Sequence, residues 1–249
     1  MRYLAVVSYD GSNYAGYQIQ PDQLTIQAVI EQALAKMHKG KPIKITASGR
    51  TDAGVHAHGQ VFHYDSELAI PEANWKKALN SLLPDDIVIF KVKEVTSSFH
   101  ARYDALKKTY QYVILNSDDP NPFEVNYSTF IAEELDVSLI NAACQYLIGE
   151  HDFTAFCAAN SSVKGDKIRT IYDAHCKQDR DRLILSFTGN GFLYNMVRII
   201  VGTLIEIGQG KRPVTDIQRI ISSKDRSQAG KTAPAQGLYL NHVEYEAEK

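Results

Sequence analysis

A repeated order of strand-like and helix-like segments is the feature that most limits how this 249-residue chain can fold. In its first part, short runs rich in β-branched and aromatic residues alternate with longer runs whose apolar residues recur at helical spacing. The strands predicted there are Tyr3 to Tyr9, Ile43 to Ala47, Gln60 to Tyr64 and Ile87 to Val95, and the helices are Ile26 to Met37 and Glu72 to Leu83. The order is therefore strand, helix, strand, strand, helix, strand.

The second part of the chain repeats this order in outline. The predicted strands are Tyr110 to Leu115, Ile168 to Cys176, Leu183 to Phe187 and Leu238 to Tyr245, and the helices are Val137 to Ile148, Asn195 to Ile207 and Val214 to Ser222. Stretches 116–126 and 158–166 are predicted to be loops. The repetition predicts an α+β protein with two related sheet-plus-helix halves, residues 1–104 and 105–249, with a hinge near residue 104.

Charge, cysteine spacing and hydropathy narrow the class of protein. The 27 basic side chains are balanced by 29 acidic ones, which excludes a protein that coats nucleic acid through bulk positive charge. Locally, however, the run from Lys36 to Thr51 holds five basic residues and no acidic one. Three cysteines without a C-x-x-C pair fit reduced thiols, and the longest apolar stretch, 192–207, contains polar and charged residues. We therefore expect a soluble cytoplasmic protein with no membrane partner.

The segment from Ala47 to His56 is the first candidate for chemistry. It places the Asp52 carboxylate between two glycines and close to Arg50, among small residues that allow another molecule to approach the backbone. Arg50 is suited to pair with Asp52 or with a phosphate, and a simple turn with a structural Arg–Asp contact is the alternative. A glycosidase pair would need a second carboxyl group, and spacing does not select between Asp10 and Asp65.

Three histidines follow this segment and are candidate metal ligands. His56 and His58 share one face of a strand, as some metal sites require, and His63 lies further along. No carboxylate or cysteine completes a ligand set, so we expect packed or solvated histidines and no metal.

Two further places combine polar groups with apolar surroundings. Tyr110 and Tyr112 share a strand face beside two lysines, an arrangement that suits nucleobase stacking next to phosphates, although an amphipathic edge strand has the same pattern. Arg198 lies inside a strongly apolar helix and needs a partner, because a lone buried guanidinium is costly. A carboxylate is its natural partner, and Asp52 is the candidate.

With these motifs in place, the sequence resembles the tRNA pseudouridine synthase A family. The resemblance is carried by GRTDAGVHAHGQV (49–61), FHARYDALKKTYQY (99–112) and GNGFLYNMVRIIVGTL (189–204). Three further blocks, YDGSNYAGYQIQ (9–20), GEHDFTAF (149–156) and APAQGLYLNHVEY (233–245), extend it over nearly the whole chain. One departure is Tyr17, since the family commonly has tryptophan there.

The resemblance implies isomerisation of uridine to pseudouridine at positions 38, 39 and 40 in the anticodon stem-loop of tRNA, without a cofactor or metal. It implies that Asp52 is the catalytic aspartate, that Tyr110 packs on the target base and that Arg198 is the ion-pair partner of the aspartate. It also implies two α+β halves joined into one long mixed sheet with a central active-site cleft, and a homodimer that binds tRNA across both subunits. We expect basic residues around that cleft.

The chemistry requires one carboxylate, which acts either as a nucleophile that traps the ribose or the uracil ring, or as a base that takes a sugar proton to give a glycal. The target uridine must leave its stem, and we assign Arg50 to hold the flipped nucleotide or to fill the gap. Two other functions stay open: an RNA N-glycosidase that releases uracil, and a tRNA-binding protein without catalysis.

Overall fold

The computed structural model describes residues 1–159 and 165–246, and in these ranges the chain forms ten strands and five α-helices. The α+β class predicted from the sequence is confirmed. The chain forms two compact units. The first comprises residues 1–106 together with the described residues from Tyr239 on, and the second comprises Lys107–Leu238.

The first unit is a sheet with two helices on one face. Its elements are β1 (Arg2–Tyr9), α1 (Ile26–Met37), β2 (Ile45–Ala47), β3 (His56–Asp65), α2 (Glu72–Asn80), β4 (Ile87–Val95) and β10 (Leu238–Glu244). The strand order is β4-β1-β3-β10, and β2 pairs with β3. β1 is antiparallel to both β3 and β4, whereas β10 is parallel to β3.

An aromatic cluster forms the core between this sheet and its helices. Tyr3 and Tyr64, on adjacent strands, stack with ring centroids 5.5 Å apart, and Trp75 of α2 lies 5.2 and 5.4 Å from them. Side chains alternate between the two faces of a strand, so these contacts identify the helix-covered face. Thr25 caps α1, because its hydroxyl accepts a hydrogen bond from the backbone N–H of Ala28.

The second unit contains the remaining strands and helices. They are β5 (Lys107–Asn116), β6 (Thr129–Ile131), α3 (Val137–Cys144), β7 (Gly149–Asp152), β8 (Ile168–Asp179), β9 (Arg182–Gly189), α4 (Met196–Gly208) and α5 (Asp216–Ser223). Strands β5, β9, β8 and β7 are antiparallel neighbours in that order, and β6 is parallel to β5. The α4 helix is the most buried helix of this unit, with ten buried residues.

Several details differ from the elements predicted from the sequence, and among them α2 ends at Asn80 instead of Leu83 and α3 ends at Cys144 instead of Ile148. Residues 239–246 belong to the first unit, whereas the division at residue 104 assigned them to the second, because β10 pairs with β3. β3 begins at His56 instead of Gln60, and the short strands β6 and β7 were not predicted. Of the loop predicted over 158–166, residues 160–164 lie outside the described residues. Across the described part of the chain, no helix combines the length and apolar character needed to cross a membrane.

Candidate active site

The loop that carries Asp52 connects β2 to β3, and its first residues are fixed to β3. The backbone N–H of Ser48 donates to the Val61 carbonyl at 2.7 Å, and its hydroxyl donates to Gln60 Oε1 at 2.5 Å. The amide nitrogen of Gln60 donates in turn to the Gly49 carbonyl at 3.0 Å. Ser48 and Gln60 are fully buried, so this end of the loop has little freedom to move.

The other side of the loop packs against the backbone of residues 9–17. A Cβ on Gly11 would lie 2.0 Å from the Val55 carbonyl oxygen, and a Cβ on Gly16 would lie 2.8 Å from that of Thr51. Gly16 also has φ +97°, which favours glycine. The Tyr17 N–H donates to the Thr51 carbonyl at 3.0 Å. These two glycines therefore let the backbone segments approach closely on either side of Asp52.

Asp52 itself lies in a tight turn and is half-buried. Its carbonyl accepts the Val55 N–H at 3.1 Å, and the preceding Thr51 shares a 2.8 Å hydrogen bond with the buried hydroxyl of Tyr9. Burial raises the pKa of Tyr9, so this hydroxyl stays protonated. Arg50, two residues before Asp52, is exposed. The loop thus holds a carboxylate on a fixed backbone with an exposed guanidinium close by in sequence, which suits preorganised chemistry on a bound anion.

The three histidines that follow the loop are held by packing. The rings of His56 and His58 both stack on Tyr239 of β10, with centroids 4.7 and 4.9 Å away. His63 accepts the backbone N–H of Ala101 at its Nδ1, at 3.1 Å. In the described ranges, no group of three or more His, Cys, Asp or Glu side chains is arranged to hold a metal ion.

Tyr110 lies in the second unit, on β5, where it is 9% exposed. It pairs across the sheet with Phe187, and the Phe192 ring meets its ring edge-on with centroids 5.2 Å apart. Phe192 lies four residues before the start of α4, so the segment that leads into this helix and β5 together fix the orientation of the Tyr110 ring. The buried Tyr110 therefore has an aromatic ring in a fixed orientation.

Arg198 occupies the first turns of α4 in the same unit and is half-buried. Its Nε donates to the Ala233 carbonyl at 2.7 Å, and one terminal nitrogen donates to Asn195 Oδ1 at 3.0 Å. The Ala233 N–H donates to the Arg198 carbonyl at 3.0 Å, so hydrogen bonds in both directions hold the 233–237 loop against the helix. The guanidinium is thereby oriented before any substrate binds.

The 233–237 loop orients several of these side chains, although the sequence pattern does not single it out. Besides Ala233, its Pro234 carbonyl accepts the Tyr112 hydroxyl at 2.8 Å, and that hydroxyl also contacts Thr129 at 2.6 Å. Burial raises the pKa of Tyr112 to about 12. Only an indirect sequence feature points to this loop. A guanidinium in an apolar helix needs several hydrogen-bond acceptors, and the backbone carbonyls of a loop of small residues can supply them.

Part of the basic run from Lys36 to Thr51 is neutralised. Lys41 pairs with Glu67 at 2.9 Å, so the pair contributes no net charge to its surroundings. The positive surface expected around Asp52 therefore depends on the other members of the run, and it stays a prediction.

A family model described as tRNA pseudouridine synthase matches residues 5–104 and 143–246. The chain belongs to this family. It is accordingly an isomerase that converts uridine to pseudouridine in tRNA, and tRNA is its substrate.

Relatives in this tRNA pseudouridine synthase family match the chain over nearly its full length. The tRNA pseudouridine synthase A of Oceanobacillus iheyensis is 55% identical, covering 98% of this chain and 97% of the relative. The proteins of the same name from Anoxybacillus flavithermus and Geobacillus kaustophilus are 51% and 49% identical, over 98% and 99% of this chain and 99% and 95% of their own.

Among solved structures, a chain from the crystal structure of a Cbf5-Nop10-Gar1 complex aligns with 81% of this chain and 54% of its own length. Its sequence identity of 13% and TM-score of 0.36 are too low to support an inference.

Proposed function

We propose that this tRNA pseudouridine synthase modifies uridines 38, 39 and 40 of the anticodon stem-loop, and that Asp52 performs the chemistry. The observation that carries the proposal is the Asp52 loop. Its backbone is fixed by buried Ser48 and Gln60 on one side and by closely packed glycines on the other. A carboxylate held in this way keeps one position while a flipped nucleotide enters.

Arg198 is the proposed ion-pair partner of Asp52. Its guanidinium is already oriented by Ala233 and Asn195, both of which are neutral acceptors. A carboxylate partner balances the charge, and a guanidinium beside Asp52 favours the ionised form that either mechanism requires. Arg198→Met should therefore reduce kcat severely, and an unchanged rate would contradict the pairing.

Tyr110 and Arg50 are the proposed contacts to the target nucleotide. The Tyr110 ring, held by Phe192, stacks on the flipped uracil and replaces its former neighbours in the stem. Exposed Arg50 holds the flipped nucleotide or fills the gap that it leaves. Tyr110→Phe retains the stacking surface, so a full rate in this variant would exclude proton transfer by the hydroxyl.

Two routes make the new bond through this single carboxylate. As a nucleophile at the ribose, Asp52 attacks C1′ and breaks the C1′–N1 bond, so that uracil leaves as an anion; after the ring turns, C5 attacks C1′, expels the carboxylate and loses its proton. As a base, Asp52 removes the C2′ proton while the C1′–N1 bond breaks, which leaves a glycal and the uracil anion; after the ring turns, C5 bonds to C1′, the proton returns to C2′ and C5 loses its own proton. Deuterium at C2′ of the target uridine distinguishes them, because only the second route breaks that bond.

Mapping pseudouridine in tRNA after incubation with the protein tests reaction and position together. We expect pseudouridine at 38, 39 and 40 of substrates that carry uridine there. Free uracil with an abasic site and no pseudouridine would favour the N-glycosidase, and binding without either product would favour a non-catalytic protein. We further propose a cytoplasmic homodimer that binds tRNA across both subunits and uses no cofactor or metal; sedimentation with and without tRNA tests the dimer.

A further inference from the structure

The segment Phe99–Asp104 lies on the sheet face of the first unit that the helices do not cover. His63 follows Phe62 and precedes Tyr64, and Tyr64 packs on Trp75 of the helix-covered face. Because neighbouring strand residues point to opposite faces, the His63 ring points away from the helices, where it receives the Ala101 N–H. We call this second side of the sheet the far face.

The segment is anchored to the sheet at several points. Arg2 donates to the Phe99 carbonyl at 2.9 Å, and the Tyr245 hydroxyl donates to the Ala101 carbonyl at 2.6 Å. Within the segment, the N–H groups of Arg102 and Tyr103 both point at His100 Nδ1, at 3.2 and 3.3 Å. The segment is thus held in one shape on a rigid support.

This anchored segment nevertheless presents a large aromatic ring to solvent. Tyr103 is 75% exposed. The His100 ring stacks on it with centroids 4.2 Å apart, and the Arg102 guanidinium lies 5.8 Å from its centroid. Proteins bind single-stranded nucleic acid through such a combination: an exposed, preorganised aromatic ring stacks on a base, and a guanidinium beside it contacts a phosphate.

The charged groups near the ring are of both signs. Asp104 accepts the backbone N–H of His100 at 2.8 Å, a hydrogen bond that does not balance its charge, whereas Asp65 is paired with Arg2 at 2.8 Å. On the same face, His63 stands opposite Leu4, which in turn stands opposite Lys93 on the edge strand β4. Two strand spacings place Lys93 about 10 Å from His63.

The position of the ring along the sheet sets its distance from the Asp52 loop. The loop enters β3 at His56, and the segment sits over His63, seven residues further on. At about 3.3 Å per residue, this places the two features roughly 23 Å apart along the strand. One bound tRNA is large enough to touch both.

We propose that Tyr103 and Arg102 form a second RNA-binding site, at which an unpaired base of the tRNA substrate stacks on Tyr103 and a neighbouring phosphate contacts Arg102. The site lies outside the proposed catalytic group of Asp52, Arg50, Tyr110 and Arg198. It rests on tRNA being the substrate and does not depend on which uridine is modified.

The test compares tRNA binding and turnover by Tyr103→Ala, Tyr103→Phe and Arg102→Ala, with an unmodified tRNA transcript as the probe. Loss of one stacked base predicts about tenfold weaker binding and a similarly raised KM for Tyr103→Ala, with kcat at saturation unchanged. Tyr103→Phe should bind like the wild type. Arg102→Ala should reduce the slope of log Kd against log salt by about 0.7 to 0.9, whereas Tyr103→Ala should not.

Two controls keep the outcome interpretable. Phe123→Ala removes an even more exposed aromatic ring (87% exposed) from the second unit and should leave tRNA binding unchanged. Thermal unfolding should match the wild type for Tyr103→Ala, since the ring contributes little buried surface.

Wild-type affinity of Tyr103→Ala for tRNA would overturn the proposal. A change of oligomeric state that accounts for a loss of tRNA affinity would also overturn it, because the ring would then contact a second copy of the chain. A wild-type protein that binds tRNA but forms no pseudouridine at 38, 39 or 40 would contradict the proposed function alone. The ratio of affinities between Tyr103→Ala and Tyr103→Phe would still decide the second site.

Discussion

Replacing Gly202 with alanine tests how α4 positions Arg198. Gly202 is buried in the middle of α4, where the backbone of the loop at 230–233 crosses the helix. A Cβ on Gly202 would lie 1.7 Å from the Lys231 carbonyl oxygen, whereas ordinary contact begins near 3.4 Å. The loop would therefore have to move by about 1.7 Å, the difference between those two distances.

Two opposing effects set the stability of Gly202→Ala. Alanine gains about 1 kcal/mol over glycine in a helix interior. Forcing a backbone carbonyl away from the helix costs about 3 kcal/mol, the upper end for overpacking, because no flexible side chain can yield instead. We expect a net loss of about 2 kcal/mol, which for a chain of this size lowers Tm by roughly 4–8 °C.

Activity should fall further than stability explains. Ala233, two residues after Lys231, holds Arg198 Nε at 2.7 Å, so a displaced loop misplaces the guanidinium. A displacement of this size costs about 100-fold in kcat. Calorimetry and single-turnover pseudouridine formation measure the two effects on the same preparation.

Gly208→Ala, in the last turn of the same helix, is the matched control. Its Cβ would meet Ile140 Cδ1 at 2.9 Å, and a side-chain end can rotate away. We expect a change within about 1 kcal/mol and near-normal activity. A Gly202→Ala variant as stable and as active as Gly208→Ala would contradict the dependence of the Arg198 position on the close contact between α4 and the 230–233 loop.

Three further predictions concern buried groups. Burial lowers the pKa of His63 to about 4, below 6.5 in an unfolded chain, so the unfolded state binds more protons between these values. The free energy of unfolding, measured by urea denaturation, should fall by about 1–2 kcal/mol from pH 7 to pH 5, and this fall should be smaller in His63→Gln. An equally large fall in that variant would exclude His63 as the cause. Tyr17 buries a hydroxyl that has no hydrogen-bond partner among the described residues, so Tyr17→Phe should be neutral or stabilise by about 1 kcal/mol, and a clear loss in chemical denaturation would show that the hydroxyl is bonded. Burial raises the pKa of Cys144 to about 12 and that of Cys176 to about 11, so both should react with thiol reagents only after unfolding, and fast labelling at pH 8 would contradict this.

Long elements with strong periodicity could be predicted from the sequence. α4 begins and ends within one residue of its predicted bounds, and β4 matches residue for residue, because their patterns extend over nine residues or more. The strands β6 and β7 have only three and four residues, too few for a period to appear. The place of β10 was not predictable either, since its partner β3 lies far away in the sequence.

In the candidate site, too, some residues have a local sequence pattern that marks them and others do not. Asp52 stands out as a candidate in the sequence because a carboxylate among glycines and small residues has a distinctive local pattern, and Arg198 stands out because charge in an apolar helix is costly. The carbonyls that orient Arg198 left no comparable signal, because every residue has one and only the fold selects Ala233. The packing of Gly11 against Val55 is likewise a long-range contact that residue types alone do not specify.

The replacement Asp52→Asn tests the central claim most directly, because it removes the charge while keeping the size of the side chain. Pseudouridine formation in tRNA and the Kd for tRNA should be measured on the same preparation. We predict at least about 1,000-fold slower formation, about 4 kcal/mol of transition-state stabilisation, with tRNA still bound. A variant that forms pseudouridine at the wild-type rate would contradict the assignment of the chemistry to Asp52.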